Sequence, residues 1–196
     1  MKTDNLEYVE GLKKMLREWL NRGYVPYFAT FTFYEIGGSE QHVAKIMKNE
    51  IERFFHLVTQ RLIVRNATSP SHAWKSGLFI AAPDWPVRKL YRQTTRLIKP
   101  NDGEHFHALW LTPPVWLQRT NMPLDDYLSE NQARFVRRPM SEAHIKPIVE
   151  DPEYVLGYIL KALLRNRITP DDLLILPRAT TETKSILKRG NSSNFS

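Results

Sequence analysis

The strongest structural signal in this chain is the stretch Glu104-His105-Phe106-His107-Ala108-Leu109-Trp110-Leu111. In an extended strand alternate side chains share a face, so His105 and His107 lie side by side on the same face. Two prolines follow at positions 113 and 114 and end the strand. Two neighbouring imidazoles can bind one divalent metal ion, and we therefore predict a strand that carries a metal site.

A second patterned stretch lies further along the chain and reads Tyr154-Val155-Leu156-Gly157-Tyr158-Ile159-Leu160-Lys161. In a helix that turns by roughly 100° per residue, positions i, i+4 and i+7 share one face, so Tyr154, Tyr158 and Lys161 form one polar stripe. Pro152 suits the first turn of this helix, which we expect to run to about Asn166. Two phenols and an amine on an otherwise apolar helix indicate a functional site.

The order of these two motifs, His-x-His on a strand and then Tyr-x-x-x-Tyr-x-x-Lys on a helix, resembles that of the HUH endonucleases. The paired tyrosines are similar to those of the two-tyrosine initiators of rolling-circle replication in phages, plasmids and integrated elements. The aromatic strand over residues 27–34, with Thr30 and Thr32 alternating, resembles the first motif of that family. The resemblance covers roughly residues 24–166. It implies a metal-dependent, site-specific single-stranded DNA endonuclease and ligase, which nicks and joins DNA through a covalent 5′-phosphotyrosine and initiates replication.

The resemblance also implies roles for individual residues. Tyr158 matches the Tyr-x-x-Lys core that even single-tyrosine members share, and it is the expected nucleophile, whereas Tyr154 matches the second tyrosine. A phenol has a reference pKa near 10, so it needs help to become a nucleophile. Lys161 would stabilise the developing phenolate or hold the phosphate. His105 and His107 would bind Mg²⁺ or Mn²⁺.

A third metal ligand is expected, because Mg²⁺ and Mn²⁺ favour oxygen ligands and two imidazoles seldom suffice. The family usually supplies Glu, Asp, His or Gln. In its commonest pattern an acid lies on the strand that leads into the histidine strand, and this sequence departs from that pattern. The matching region offers Asp84, Asp102 and Glu104. Glu104 points to the opposite face of an ideal strand, so we favour Asp84, which ends the preceding strand. A water molecule or a Gln remains an alternative.

The composition fits one globular core and a polyanionic partner. The chain has 196 residues, a hydrophobic fraction of 42% and no cysteine, so disulfides and thiolate chemistry are excluded and a reducing cytoplasm is favoured. The formal net charge of +7 favours a partner such as DNA, since each neutralised phosphate releases counterions. No segment has the length and apolarity of a signal peptide or a membrane span, and we expect a soluble cytoplasmic protein without a membrane partner.

Hydrophobic periodicity and the order of the predicted elements indicate an α+β fold in which helices pack on an antiparallel sheet. The resemblance implies the same plan, the ferredoxin-like or RRM-like sheet of the HUH fold. The predicted domains are an N-terminal amphipathic helix in residues 1–23, a nicking domain in 24–177 and a basic, mobile tail in 178–196. The predicted helices cover residues 4–21, 40–64 and 152–166, and the predicted strands cover 27–34, 77–82, 104–111 and 143–149. Strand 77–82 is expected to stop at Pro83 and strand 143–149 to lie at an edge. Residues 115–140 are predicted to form loops and a short helix.

A basic segment precedes the histidine strand and contains no acid. Its cations, with Trp85 and Tyr91 interleaved, are suited to single-stranded DNA through phosphate pairing and base stacking. A solvated helix face is the alternative. The predicted DNA-binding residues are Arg88, Lys89, Arg92, Arg96 and Lys99.

Several other functions compete with the nuclease. A relaxase or a transposase would use the same chemistry, and a non-catalytic DNA-binding descendant would keep the fold and lose the His, Tyr and Lys set. A histidine-triad hydrolase would need another His where Leu109 stands, and a structural zinc site would need four ligands. No Gly-rich Lys loop of the Walker type is present, so a separate helicase is expected to open the single-stranded DNA or origin hairpin. The amino-acid sequence does not determine the oligomeric state or the DNA sequence at which the protein would cut.

Overall fold

The computed structural model describes residues 2–65, 74–84 and 105–178. Within these ranges the α-helices are α1 Lys2–Asn21, α2 Glu40–Val58, α3 Leu124–Asn131, α4 Pro152–Ile159 and α5 Lys161–Leu164. The strands are β1 Val25–Phe33, β2 Leu78–Asp84, β3 His105–Thr112, β4 Met140–Pro147 and β5 Leu174–Leu176. Short 3₁₀ turns cover Val115–Leu117, Gln132–Arg134 and Pro170–Asp172, and a π-helical turn covers Thr59–Ile63.

The strands form one sheet in the order β4-β1-β3-β2-β5, and every neighbouring pair is antiparallel. Because β3 lies between β1 and β2, the segment from β1 through α2 to β2 is a split β-α-β unit. The helix α3 precedes β4, which gives the β-α-β-β-α-β order of ferredoxin-like folds. The predicted α+β class with an antiparallel sheet and packed helices is confirmed.

Helices cover both faces of the sheet, and the alternation along β3 assigns each side chain to one of them. Phe106 and Trp110 face α2 and α3 in one hydrophobic core. Leu109 and Leu111 face α1, α4 and α5 in the other. His107 precedes Leu109 by two residues and therefore shares the face covered by α1 and α4.

Contacts at their ends fix the helices that border this second face. Asp151 caps α4 by accepting a hydrogen bond of 2.9 Å from the backbone N–H of Tyr154, and Pro152 occupies the first turn. Arg17 of α1 donates two hydrogen bonds, of 2.6 and 2.9 Å, to the carboxylate of Glu153 at the start of α4. The N-terminal helix is therefore joined to the tyrosine helix.

Three of the predicted boundaries that differ from the structure have a structural cause. Strand β2 does not stop at Pro83 but continues to Asp84. Its pairing with β5 extends only to Ala81, so the side of β2 that faces β5 is unpaired at Pro83. A residue without an N–H is therefore tolerated there. The tyrosine helix does not run unbroken to Asn166, because Leu160, with φ −86° and ψ 9°, separates α4 from α5. The predicted long helix over residues 40–64 widens into a π-helical turn after Val58.

One strand was not predicted at all. β5 pairs antiparallel with residues 79–81 of β2 and forms an edge of the sheet, while β4 forms the other edge, as expected. Within the described ranges, no helix is both long and apolar enough to cross a membrane. The basic segment from Arg88 to Lys99 and residues 179–196 of the predicted tail lie outside the described residues.

Candidate metal and tyrosine site

Three candidate metal ligands converge at the end of the sheet where β3 begins. The register pairs Asp84 of β2 with His105 of β3, so the two side chains lie on the same face, and His107 follows two residues later. The Nε2 atoms of the histidines are 2.9 Å apart. Asp84 Oδ2 lies 3.6 Å from each of them. The sheet thus brings together the favoured third ligand and the two predicted histidines.

The separations of these three atoms suit a bound metal ion. A point about 2 Å from all three exists, close to the 2.0–2.2 Å at which Mg²⁺ and Zn²⁺ bind oxygen or nitrogen. Two imidazole nitrogens and one carboxylate oxygen are ligands that several divalent ions accept. Asp84, His105 and His107 therefore form a group that could hold a metal ion, and the donor set alone does not fix which one.

The surroundings of His107 favour a neutral imidazole. Burial is the main reason why its pKa is lowered to about 4; His105 and Lys161 act in the same direction and Asp84 opposes them. A neutral ring is the form that binds a metal ion. The hydroxyl of Thr30 lies 3.1 Å from Nδ1. When Nδ1 carries the proton and donates it to Thr30, the Nε2 lone pair faces Asp84.

Thr30 reaches His107 because β1 is the other neighbour of β3. The register pairs Thr30 with His107 and Thr32 with His105. The Thr32 hydroxyl contacts Ser141 of β4 at 2.9 Å instead of a histidine. The alternation of the threonines is visible in the sequence, but their separate contacts depend on the register of three strands, which no local pattern reveals.

Tyr158 lies against this group from the side of α4. Its ring centroid is 5.4 Å from that of His107 and 6.2 Å from that of Phe28, and the residue is 42% exposed. Leu156 and Ile159 are buried against the sheet and hold the helix in place. The phenol is therefore accessible to solvent while its ring contacts a candidate metal ligand.

Lys161 connects the tyrosine with the carboxylate. Its Nζ donates a hydrogen bond of 2.5 Å to Asp84 Oδ2 and lies 4.2 Å from the ring centroid of Tyr158. Partial burial alone would lower the pKa of Lys161, but hydrogen bonds with Asp84 and Tyr158 outweigh it and raise the pKa. The amine thus places a positive charge between a candidate ligand and the candidate nucleophile.

Tyr154 lies one helical turn away and is not part of this cluster. It is 72% exposed and, with Tyr158, lines an open groove of about 560 Å³ between α1 and α4. The other lining residues are Lys13, Asp151, Glu153, Gly157 and Leu164. The predicted stripe is therefore divided: both tyrosines face the groove, whereas Lys161 turns to Asp84.

Several predicted site residues lie outside the described residues. They are Glu104 and Asp102 and all the basic residues of the predicted DNA-binding segment, Arg88, Lys89, Arg92, Arg96 and Lys99. Among the described residues, the Asp84, His105 and His107 cluster is the group of His and acidic side chains whose spacing suits a metal ion. Comparison with protein families, with curated proteins and with solved structures found no match for the chain.

Proposed function

We propose that this protein is a metal-dependent single-stranded DNA endonuclease and ligase that works through a covalent 5′-phosphotyrosine. One observation carries the proposal: the ring of Tyr158 and the amine of Lys161 lie against the Asp84, His105 and His107 group on one face of the sheet. A nucleophile, a cation and a possible metal site within one cluster are what phosphodiester cleavage requires. The resemblance to HUH endonucleases assigns them the same roles.

In the proposed reaction the Tyr158 oxygen attacks the scissile phosphorus. A bond forms between the phenolic oxygen and phosphorus, and the bond from phosphorus to the 3′ oxygen breaks. The phenolic proton passes to solvent and the released 3′ oxygen takes up a proton. Lys161 stabilises the negative charge that develops on the phenol. A bound Mg²⁺ or Mn²⁺ would neutralise the non-bridging phosphate oxygens and orient the phosphate. Joining is the same exchange in reverse.

Tyr154 would serve the second half of a nicking and joining cycle. With one tyrosine holding the 5′ phosphate, the other can attack a regenerated site, so that no free 5′ end is released. The groove that both phenols line gives the DNA strand access to each of them. In rolling-circle replication this exchange would end a round on single-stranded DNA or an origin hairpin, opened by a separate helicase.

Two further interpretations use the same observations. A relaxase or a transposase would share the reaction, and only the DNA substrate would differ. A non-catalytic DNA-binding descendant would have no need for a lysine held between a carboxylate and a tyrosine, so the contacts of Lys161 with Asp84 and Tyr158 favour the enzyme.

The test is covalent capture of labelled single-stranded DNA. The protein is incubated with candidate origin oligonucleotides and Mn²⁺ and then run under denaturing conditions. We expect an adduct with the wild type and with Tyr154→Phe, and none with Tyr158→Phe. Tyr127→Phe is the matched control, because this tyrosine packs on Phe135 in the opposite core. Absence of any wild-type adduct would overturn the proposal. An adduct lost only in Tyr154→Phe would reverse the roles of the two tyrosines.

A further inference from the structure

We propose that Lys161 competes with the metal ion for Asp84, so that metal binding displaces the amine and delivers it to Tyr158. The inference rests on the metal centre of the proposed function and concerns how that centre is regulated. Lys161 would then be a substitute cation in the metal-free protein as well as a residue that acts on the phenol.

A single oxygen atom of Asp84 would have to serve both cations. Asp84 Oδ2 accepts the 2.5 Å hydrogen bond from Lys161 Nζ. The same oxygen is the carboxylate atom 3.6 Å from both histidine Nε2 atoms, and it would therefore bind the metal. An ammonium and a divalent cation on one oxygen repel each other strongly, because the site is partly shielded from water. Occupancy by one therefore opposes occupancy by the other.

The displaced amine has a second partner within reach. Nζ already lies 4.2 Å from the centroid of the Tyr158 ring. The lysine side chain is flexible and about 29% exposed, so bond rotations can carry Nζ from Asp84 to the phenol without moving the backbone.

This exchange would couple metal binding to activation of the nucleophile. Without metal, Lys161 keeps the partly buried carboxylate of Asp84 paired, which avoids the cost of an isolated charge. With metal, Asp84 no longer holds the lysine, and its charge becomes available to a phenolate or a phosphate at Tyr158. The phenol would thus receive its cation only when the metal site is filled.

The test measures Mn²⁺ affinity by calorimetry, without DNA. Lys161→Met removes the competitor, and we expect it to bind Mn²⁺ roughly ten- to a hundredfold more tightly than the wild type, the range that corresponds to one charge-assisted hydrogen bond. Lys161→Arg keeps the charge and should not show this gain. Lys45→Met is the control for loss of one positive charge, since Lys45 is exposed on α2, across the sheet. Circular dichroism verifies folding, and Lys161→Gln replaces the Met variant if that variant fails to fold.

Unchanged or weaker Mn²⁺ affinity in folded Lys161→Met would overturn the competition. An equal gain in Lys45→Met would also overturn it, because the effect would then come from net charge. Failure of every variant to bind Mn²⁺ would reject the metal centre and the competition together. Tighter binding in Lys161→Met combined with no DNA adduct in the wild type would support the competition while rejecting the nuclease, so the two proposals fail separately.

Discussion

Replacing Thr30 by Val tests whether the hydroxyl on β1 orients His107 as a ligand. Valine has almost the shape of threonine and suits a strand equally well, so the backbone of β1 should be unchanged. The substitution removes the hydroxyl that lies 3.1 Å from His107 Nδ1. The Nδ1 atom of His107 then loses the partner that would fix the tautomer of the ring.

The expected magnitude follows from the position of the Thr30 hydroxyl behind a ligating ring. Removal of an outer partner of a ligating histidine typically weakens metal binding ten- to a hundredfold, and we expect a decrease of roughly that size for Mn²⁺. The free energy of unfolding should fall by about 1 kcal/mol, the net value of one hydrogen bond between neutral groups. For a chain of this size the melting temperature should fall by roughly 2–4 °C. A large change in affinity with a small change in stability is the distinctive result.

The assay is Mn²⁺ titration by calorimetry with thermal unfolding in parallel. Thr32→Val is the matched control, since it lies on the same strand and face, but its hydroxyl contacts Ser141 at 2.9 Å. It should lose similar stability and keep its metal affinity. Equal decreases of affinity in Thr30→Val and Thr32→Val, or unchanged affinity in Thr30→Val, would refute the idea that Thr30 positions His107.

Three further predictions concern stability. Gly77→Ala should lower the free energy of unfolding in urea by more than about 3 kcal/mol, because φ is +81° and the new Cβ would lie 1.8 Å from a carbonyl oxygen of β3. Gly11→Ala, in open space on α1, should raise the free energy of unfolding by roughly 0.5–1 kcal/mol. Burial raises the pKa of Tyr24 to about 12, so its contribution to stability is complete below pH 10 and is lost as the pH rises from about 10 to about 12. In Tyr24→Phe the melting temperature should therefore fall less steeply with pH over that range. The hydrogen bond from Arg178 is the main reason why the pKa of Glu52 is lowered, so the stability that this pair contributes is present at neutral pH and is lost as the pH falls below 4.5, the ordinary pKa of Glu52. Arg178→Gln should weaken this acid dependence of stability, and an unchanged profile would contradict the prediction.

The parts of the fold that depend on local periodicity could be predicted. The two-residue period of β3 can be recognised in the local sequence alone, and it places His105 and His107 on one face of the strand. The aromatic alternation of β1 and the apolar stripes of α1 and α2 are local in the same sense. The fold class could be predicted from these elements, because helices and strands that each have one apolar face can bury those faces in only a few architectures.

The parts that depend on partners distant in sequence could not be predicted. β5 has three residues, which is too short for any period, and it exists because residues 79–81 of β2 offer it an edge. Pro83 was expected to end its strand, but the effect of a proline depends on whether a neighbouring strand needs its N–H. Asp84 was favoured only for its place at the end of a strand. The register that sets it opposite His105 is a property of the assembled sheet.

Helical periodicity predicts that Tyr154, Tyr158 and Lys161 form one stripe, but their environments in the structure differ in a way that bears on the proposed mechanism. α4 crosses the sheet so that only its last turn lies over the candidate ligands, and Tyr158 contacts His107 while Tyr154 remains solvent-exposed. The carboxylate of Asp84 draws Lys161 inward, towards the candidate ligands and Tyr158. A phosphate bound at the ligand group would therefore meet Tyr158 first. We expect a second transfer, to Tyr154, to require the DNA strand to shift along the groove by about one helical turn, roughly 5.4 Å, since the buried side chains of Leu156 and Ile159 hold the helix against the sheet.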